Sequence, residues 1–84
     1  MAKLLHQDGT EEEIQPQNGT DFSLHELQGY VGGYIEIVHL PDGDIMVVDD
    51  EGLFKNYFVN EKASLLAGQA IVGDAVVCKS EQVK

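Results

Sequence analysis

Apolar and polar positions alternate along this chain with two different periods, and each change of period marks the edge of a short element. Lys3–Gln7 reads as a first strand and Asp8-Gly9 as the turn after it. Glu11–Gln15 reads as a second strand around Ile14, ended by Pro16, and Gln17-Asn18-Gly19-Thr20 as a loop. The period then becomes helical. Ser23-Leu24-His25-Glu26 fits a capping box, Phe22 and Leu27 are spaced as a hydrophobic staple, and Leu24, Leu27 and Val31 follow i, i+3, i+7. This predicts a helix over Leu24–Val31, closed by Gly32-Gly33.

Alternation returns in Tyr34–Leu40, with Ile35 and Ile37 on one face and Tyr34, Glu36 and Val38 on the other, which predicts a strand with one buried face. Pro41-Asp42-Gly43 is a tight turn, and Ile45–Asp49 the partner strand. Asp50-Glu51-Gly52 makes a second turn, followed by Leu53–Phe58 as a short strand or extended segment. Asn60 caps a second helix, Glu61–Ala67, which Gly68 closes. Ala70–Val72 and Ala75–Lys79 read as strands interrupted at Gly73-Asp74, and Ser80–Lys84 as a frayed tail. The sum is one α+β domain over residues 1–84, with a small, mostly antiparallel sheet of five or six short strands and two short helices.

Charge narrows the function classes. The 84 residues carry 15 acids against five lysines and no arginine, a formal net charge of −10. Neutralising phosphates takes Lys and Arg, so direct nucleic-acid binding through a basic face is excluded, and an anionic membrane surface repels the chain. No apolar run approaches the roughly 20 residues that span a bilayer, and Met1–Gln7 lacks the apolar core of a signal peptide, so the expected location is the cytoplasm.

Candidate chemistry is sparse. Asp42-Gly43-Asp44 and Asp49-Asp50-Glu51 form the densest acidic stretch, but the spacing puts Met46 and Val47 where a calcium loop needs an oxygen donor and a glycine, so both read as solvated turns. His6, His25, His39 and Cys78 show no metal-ligand spacing, and no metal or cofactor is expected. Cys78 reads as a buried inert thiol rather than a nucleophile paired with His25 or His39. Gly29-Tyr30-Val31-Gly32-Gly33 follows a helix and precedes a strand, the reverse of a phosphate-binding loop, so its glycines serve backbone geometry.

The run Leu27-Gln28-Gly29-Tyr30-Val31-Gly32-Gly33-Tyr34-Ile35-Glu36, then Val48-Asp49-Asp50-Glu51-Gly52, Asn60-Glu61-Lys62-Ala63 and Ile71-Val72-Gly73-Asp74, resembles in that order a family of short domains catalogued only as a domain of unknown function. It occurs in bacteria, phages, plasmids and conjugative elements. The likeness covers about residues 20–79, and the family has Asn-Glu-Glu-Gly where this chain has Asp49-Asp50-Glu51-Gly52. The resemblance implies an accessory protein of phage or mobile-element type and carries no catalytic residue or cofactor with it.

Two function classes remain. The first is a non-enzymatic module that binds a protein partner with a basic surface through its acidic exterior, Glu11-Glu12-Glu13 included, with a homodimer through a sheet edge or apolar patch as a further expectation. The alternative is a small-molecule or nucleotide-binding domain using Tyr30, Tyr34, Asn56, Tyr57 and Asn60. An enzyme ranks third, because the sequence places no pair of converging polar groups for acid–base work.

Overall fold

Strand alternation produces a sheet with two apolar faces. The computed structural model describes residues 2–83. In chain order the elements are β1 (Ala2–Leu5), β2 (Glu11–Ile14), α1 (Leu24–Val31), β3 (Ile35–His39), β4 (Ile45–Asp49), α2 (Glu61–Ala67) and β5 (Ala75–Cys78). All neighbouring strands pair antiparallel, in the spatial order β2-β1-β5-β4-β3. The fold is therefore α+β, with five strands and two helices.

Two local hairpins supply four of the strands. In the β3–β4 hairpin the Leu40 N–H donates to the Asp44 carbonyl at 2.9 Å and the Gly43 N–H to the Leu40 carbonyl at 3.1 Å. Gly43 takes the left-handed conformation this bulged turn requires (φ +94°). β5, the last strand in the chain, enters between the hairpins, pairing with β1 (Leu4 opposite Val76) and with β4 (Val47 opposite Val76).

The period of two sends Ile45 and Val47 of β4 to one face and Met46 and Val48 to the other. On the first face they join Ala2, Leu4, Val76 and Cys78 beneath α1, which contributes Leu27 and Val31. The capping box forms: the Glu26 N–H donates to Ser23 Oγ, and the Ser23 N–H to Glu26 Oε1, each at 3.1 Å. Phe22 and Leu27, the staple pair, are both almost fully buried. On the second face α2 supplies only Ala63 and Ala67, against Leu5, Leu40, Met46, Val48, Ile71 and Ala75.

Four expectations need correction. Leu24 does not join the α1 stripe; it is half exposed, and Tyr30 instead packs edge-on against Phe22 with ring centroids 6.3 Å apart. β3 has no single buried face: it is an edge strand whose Ile35 and Val38 lean on opposite apolar layers while Ile37 stays exposed. Leu53–Phe58 and Ala70–Val72 are not strands. Gly52–Phe54 forms a 3-10 turn, and Ala70–Val72 meets the chain after Phe58 in an isolated bridge between Val59 and Val72, flanked by hydrogen bonds from the Gly73 N–H to the Phe58 carbonyl and from the Asn60 N–H to the Ile71 carbonyl. Neither joins the five-strand ladder, whose two ends are β2 and β3.

The tail is the fourth correction. Ser80–Gln82 is a 3-10 turn that lays Val83 beside Phe22, and the Phe22 N–H donates to the Gln82 carbonyl at 2.6 Å. Val83 thereby packs, with Tyr30 and Ile35, against the buried cluster that contains Phe22, and a fully buried aromatic is worth about 1.5–3 kcal/mol. Lys84, the last residue of the expected frayed tail, lies outside the described residues.

Candidate functional site

Asp49 continues the row Ile45, Val47 on the α1 face and arrives buried beneath the C-terminus of α1. It corrects the reading of Asp49-Asp50-Glu51 as a wholly solvated turn: Asp50 and Glu51 are exposed, Asp49 is not. A buried carboxylate is costly unless every oxygen is engaged. Here Oδ2 accepts from Lys55 Nζ at 2.7 Å and from the Tyr57 hydroxyl at 2.8 Å, and Oδ1 accepts from the Glu51 N–H at 2.8 Å. Burial, the largest single influence, pushes its pKa up, but the Lys55 ammonium, the Glu51 amide and the Tyr57 hydroxyl together hold it below the usual carboxylate range. The same carboxylate raises the pKa of Lys55 and of Tyr57, in each case chiefly through the hydrogen bond.

The glycines read as backbone devices close around this trio. A Cβ on Gly33 would lie 2.8 Å from Lys55 Nζ and 3.1 Å from Asp49 Oδ2; one on Gly32 would lie 2.9 Å from the Tyr57 hydroxyl; one on Gly73 would lie 2.8 Å from the Tyr57 ring. Gly32 also caps α1 at φ +92°. Lys55 reaches the Gly32 carbonyl at 3.3 Å and stands 5.8 Å from the Tyr57 ring centre. The motifs Val31-Gly32-Gly33, Asp49-Asp50-Glu51-Gly52 and Val72-Gly73-Asp74, distant in sequence, thus converge on Tyr57 and Asp49.

A second polar knot forms around His6 and Asp74. His6 Nε2 lies 3.0 Å from Glu12 and Nδ1 3.2 Å from Asp74, and the Gln7 N–H donates to Asp74 at 2.9 Å. The Glu12 hydrogen bond, with help from Asp74 and against partial burial, raises the His6 pKa. Cys78 is buried, and that burial pushes its thiol up to about 11, which keeps the nucleophilic thiolate scarce at neutral pH. Among the described residues no cluster of three metal-ligating side chains forms, and no helix is long and apolar enough to cross a membrane.

The five residues considered for ligand binding go to different contacts. Tyr30 packs on Phe22, and Tyr57 bonds Asp49. Tyr34 is exposed beside an open depression lined by His25, Gln28 and Glu51. Asn56 is exposed. Asn60 is buried, and its amide is consumed by the backbone: Nδ2 donates to the Leu5 and Gly73 carbonyls, both at 2.8 Å, while Oδ1 accepts from the Ala63 N–H as the cap of α2. The cleft alongside Asp49 holds about 210 Å³, below the roughly 300 Å³ where ligand pockets begin, and Glu36 and Asp50 line it with negative charge.

The conspicuous exposed chemistry is apolar. Of nine large hydrophobic side chains exposed among the described residues, six fall between Leu53 and Leu66. Phe54 is 90% exposed, Leu65 84%, Leu53 79% and Phe58 76%, with Val59 and Leu66 beside them. α2 is inverted: its alanines face the sheet and its leucines face water. The sequence predicts a short strand or extended segment over Leu53–Phe58 and a short helix over Glu61–Ala67. The signal it held was Leu65-Leu66, adjacent positions that cannot both share a helix face with Ala63 and Ala67.

Over residues 1–83 the chain matches the model of a family described as Domain of unknown function (DUF3846), a span that takes in the β1–β2 hairpin ahead of the motifs quoted above. No curated protein and no solved structure matches it.

Proposed function

The chain belongs to the DUF3846 family, and we propose that it acts as a non-enzymatic protein-binding module, an accessory protein of a phage or mobile element, whose contact surface is the apolar stretch from Leu53 to Leu66. The observation that carries this reading is the inverted α2 together with Leu53, Phe54 and Phe58: large apolar side chains held out from the body by a fold that does not need them for its core. Large apolar side chains left exposed in one stretch of chain are a mark of association, and the aromatic residues among them supply the anchors. Asp50, Glu51 and Glu61 lie within or beside the stretch, so the partner is a protein with an apolar depression rimmed by Lys and Arg. The polar trio at Asp49 supports the role indirectly by fixing the loop from which Leu53 and Phe54 project.

The nucleotide-binding alternative finds less support, because its tyrosines and amides are distributed among separate contacts, and of the five residues Tyr34 alone lines the open depression beside His25 and Gln28. A photocrosslinking residue at Phe54, with one at exposed Asp8 as control, tests the proposal in lysate of the natural host. The expected result is one protein captured at position 54 alone, through a surface rich in Lys and Arg, with capture lost in the folded Phe54→Ser/Leu65→Ser variant and weakened by salt. Equal capture at both positions, or capture indifferent to the double variant, overturns it.

A further inference from the structure

The two edges of the sheet are protected unequally. β2 ends it on one side with Glu11-Glu12-Glu13, and β3 on the other with Ile35-Glu36-Ile37-Val38-His39. The hydrogen-bond alternation of β3 is fixed at both of its ends. The Tyr34 carbonyl accepts from the Asp50 N–H at 2.8 Å, and the Leu40 N–H donates to the Asp44 carbonyl at 2.9 Å. With Glu36 opposite Val48 and Val38 opposite Met46 in the same register, residues 34, 36, 38 and 40 face β4. Ile35, Ile37 and His39 therefore turn their N–H and C=O groups outward, along an edge no strand covers.

We propose that β3 pairs antiparallel with β3 of a second copy of this chain, about a two-fold axis at Ile37, to form a continuous sheet across a homodimer. A two-fold axis perpendicular to the sheet keeps each face continuous, so the register must join outward positions to outward positions. Centred on Ile37 it sets Ile35 opposite His39 and Ile37 opposite its own copy, each pair exchanging two N–H···O bonds. On the other face Glu36 meets Val38. No like charges stand opposite each other, and exposed Ile37 is covered. The same operation at β2 fails: centred on Glu11, Glu12 or Glu13 it sets glutamate against glutamate. β3 against β2 would bring Glu36 onto the glutamate row and leave an open edge to propagate. Only the β3 pairing is both closed and free of charge opposition.

Sedimentation velocity and hydrogen exchange of the whole chain test this. At tens of micromolar the expected species is twice the 9.2 kDa chain mass. Because the two copies are both strongly acidic, the dimer tightens as salt rises, the opposite of binding to a basic partner. The amides of Ile35, Ile37 and His39 gain protection with protein concentration, whereas those of Glu36 and Val38 are protected at every concentration. Ile37→Lys, which sets two cations opposite each other, returns the monomer, while Phe54→Ser/Leu65→Ser stays dimeric. A monomer at these concentrations, a dimer with the three outward amides unprotected, or a dimer that Phe54→Ser/Leu65→Ser abolishes would each overturn the proposal.

Discussion

The Tyr57 hydroxyl donates to Asp49 Oδ2 at 2.8 Å, in a space closed by glycines, and with the Lys55 ion pair it joins the sheet to the loop that carries Leu53 and Phe54. Tyr57→Phe is expected to cost about 1 kcal/mol, the net worth of one hydrogen bond whose partner keeps other donors. Asp49→Ala is expected to cost more, about 3 kcal/mol, because it strips Lys55, Tyr57 and the Glu51 amide of their acceptor at once. Urea denaturation of both, and of the double variant, gives the coupling directly. Equal losses in the two single variants would contradict this account of the trio.

Glycine replacements separate conformation from space. Gly43 has φ +94° with nothing within 4 Å of a built Cβ, whereas Gly73 has φ +78° and the Tyr57 ring 2.8 Å from it. Gly43→Ala should cost about 1–2 kcal/mol, the left-handed penalty alone, and Gly73→Ala a further 1–3 kcal/mol for displaced packing. Adding Tyr57→Ala to Gly73→Ala should recover part of the second loss. Equal melting temperatures for the two glycine variants would show the contact to be immaterial.

The His6 knot sets a pH dependence with a definite sign. Its pKa in the folded chain lies above the unfolded value near 6.5. Its contribution is therefore complete below about pH 6.5 and is lost as pH rises through the folded value. Asp49 acts in the other direction: its folded pKa is depressed, so its contribution is present above the unfolded value near 3.8 and falls away as pH drops through the folded one. Stability profiles of the wild type and His6→Gln should diverge on the acid side of neutrality and converge above it. Parallel profiles would remove the histidine from the account.

The exposed stretch makes the opposite kind of claim, that large side chains can be removed at little cost. Phe54→Ser and Leu65→Ser are expected to change folding stability by no more than about 0.5 kcal/mol, as surface positions do. Phe22→Ala, in the same domain, should cost about 3–5 kcal/mol. Thermal unfolding of the three variants checks the contrast. A large loss at Phe54 would mean that it packs where the structure leaves it bare.

What could be read from the sequence divides by range. The capping box of α1 and the Pro41-Asp42-Gly43 hairpin are closed by neighbours within a few residues, so local chemistry dictates them. Asn60 was legible as a cap but not as the group that also holds the Leu5 and Gly73 carbonyls. Asp49 was misread as solvated although its period with Ile45 and Val47 placed it inward, because a lone carboxylate reads as surface until Lys55 and Tyr57 are brought to it. The tail and the segment from Leu53 to Phe58 were misread for a related reason: what they become depends on residues distant in sequence, Phe22 for the tail, Gly73 and Gln7 for the segment. The resemblance read over residues 20–79 proved to extend along nearly the whole chain.

β5 is made last and sits in the middle. The two hairpins share no ladder except through it, so loss of β5 parts the sheet into two separate ribbons rather than trimming one margin of it.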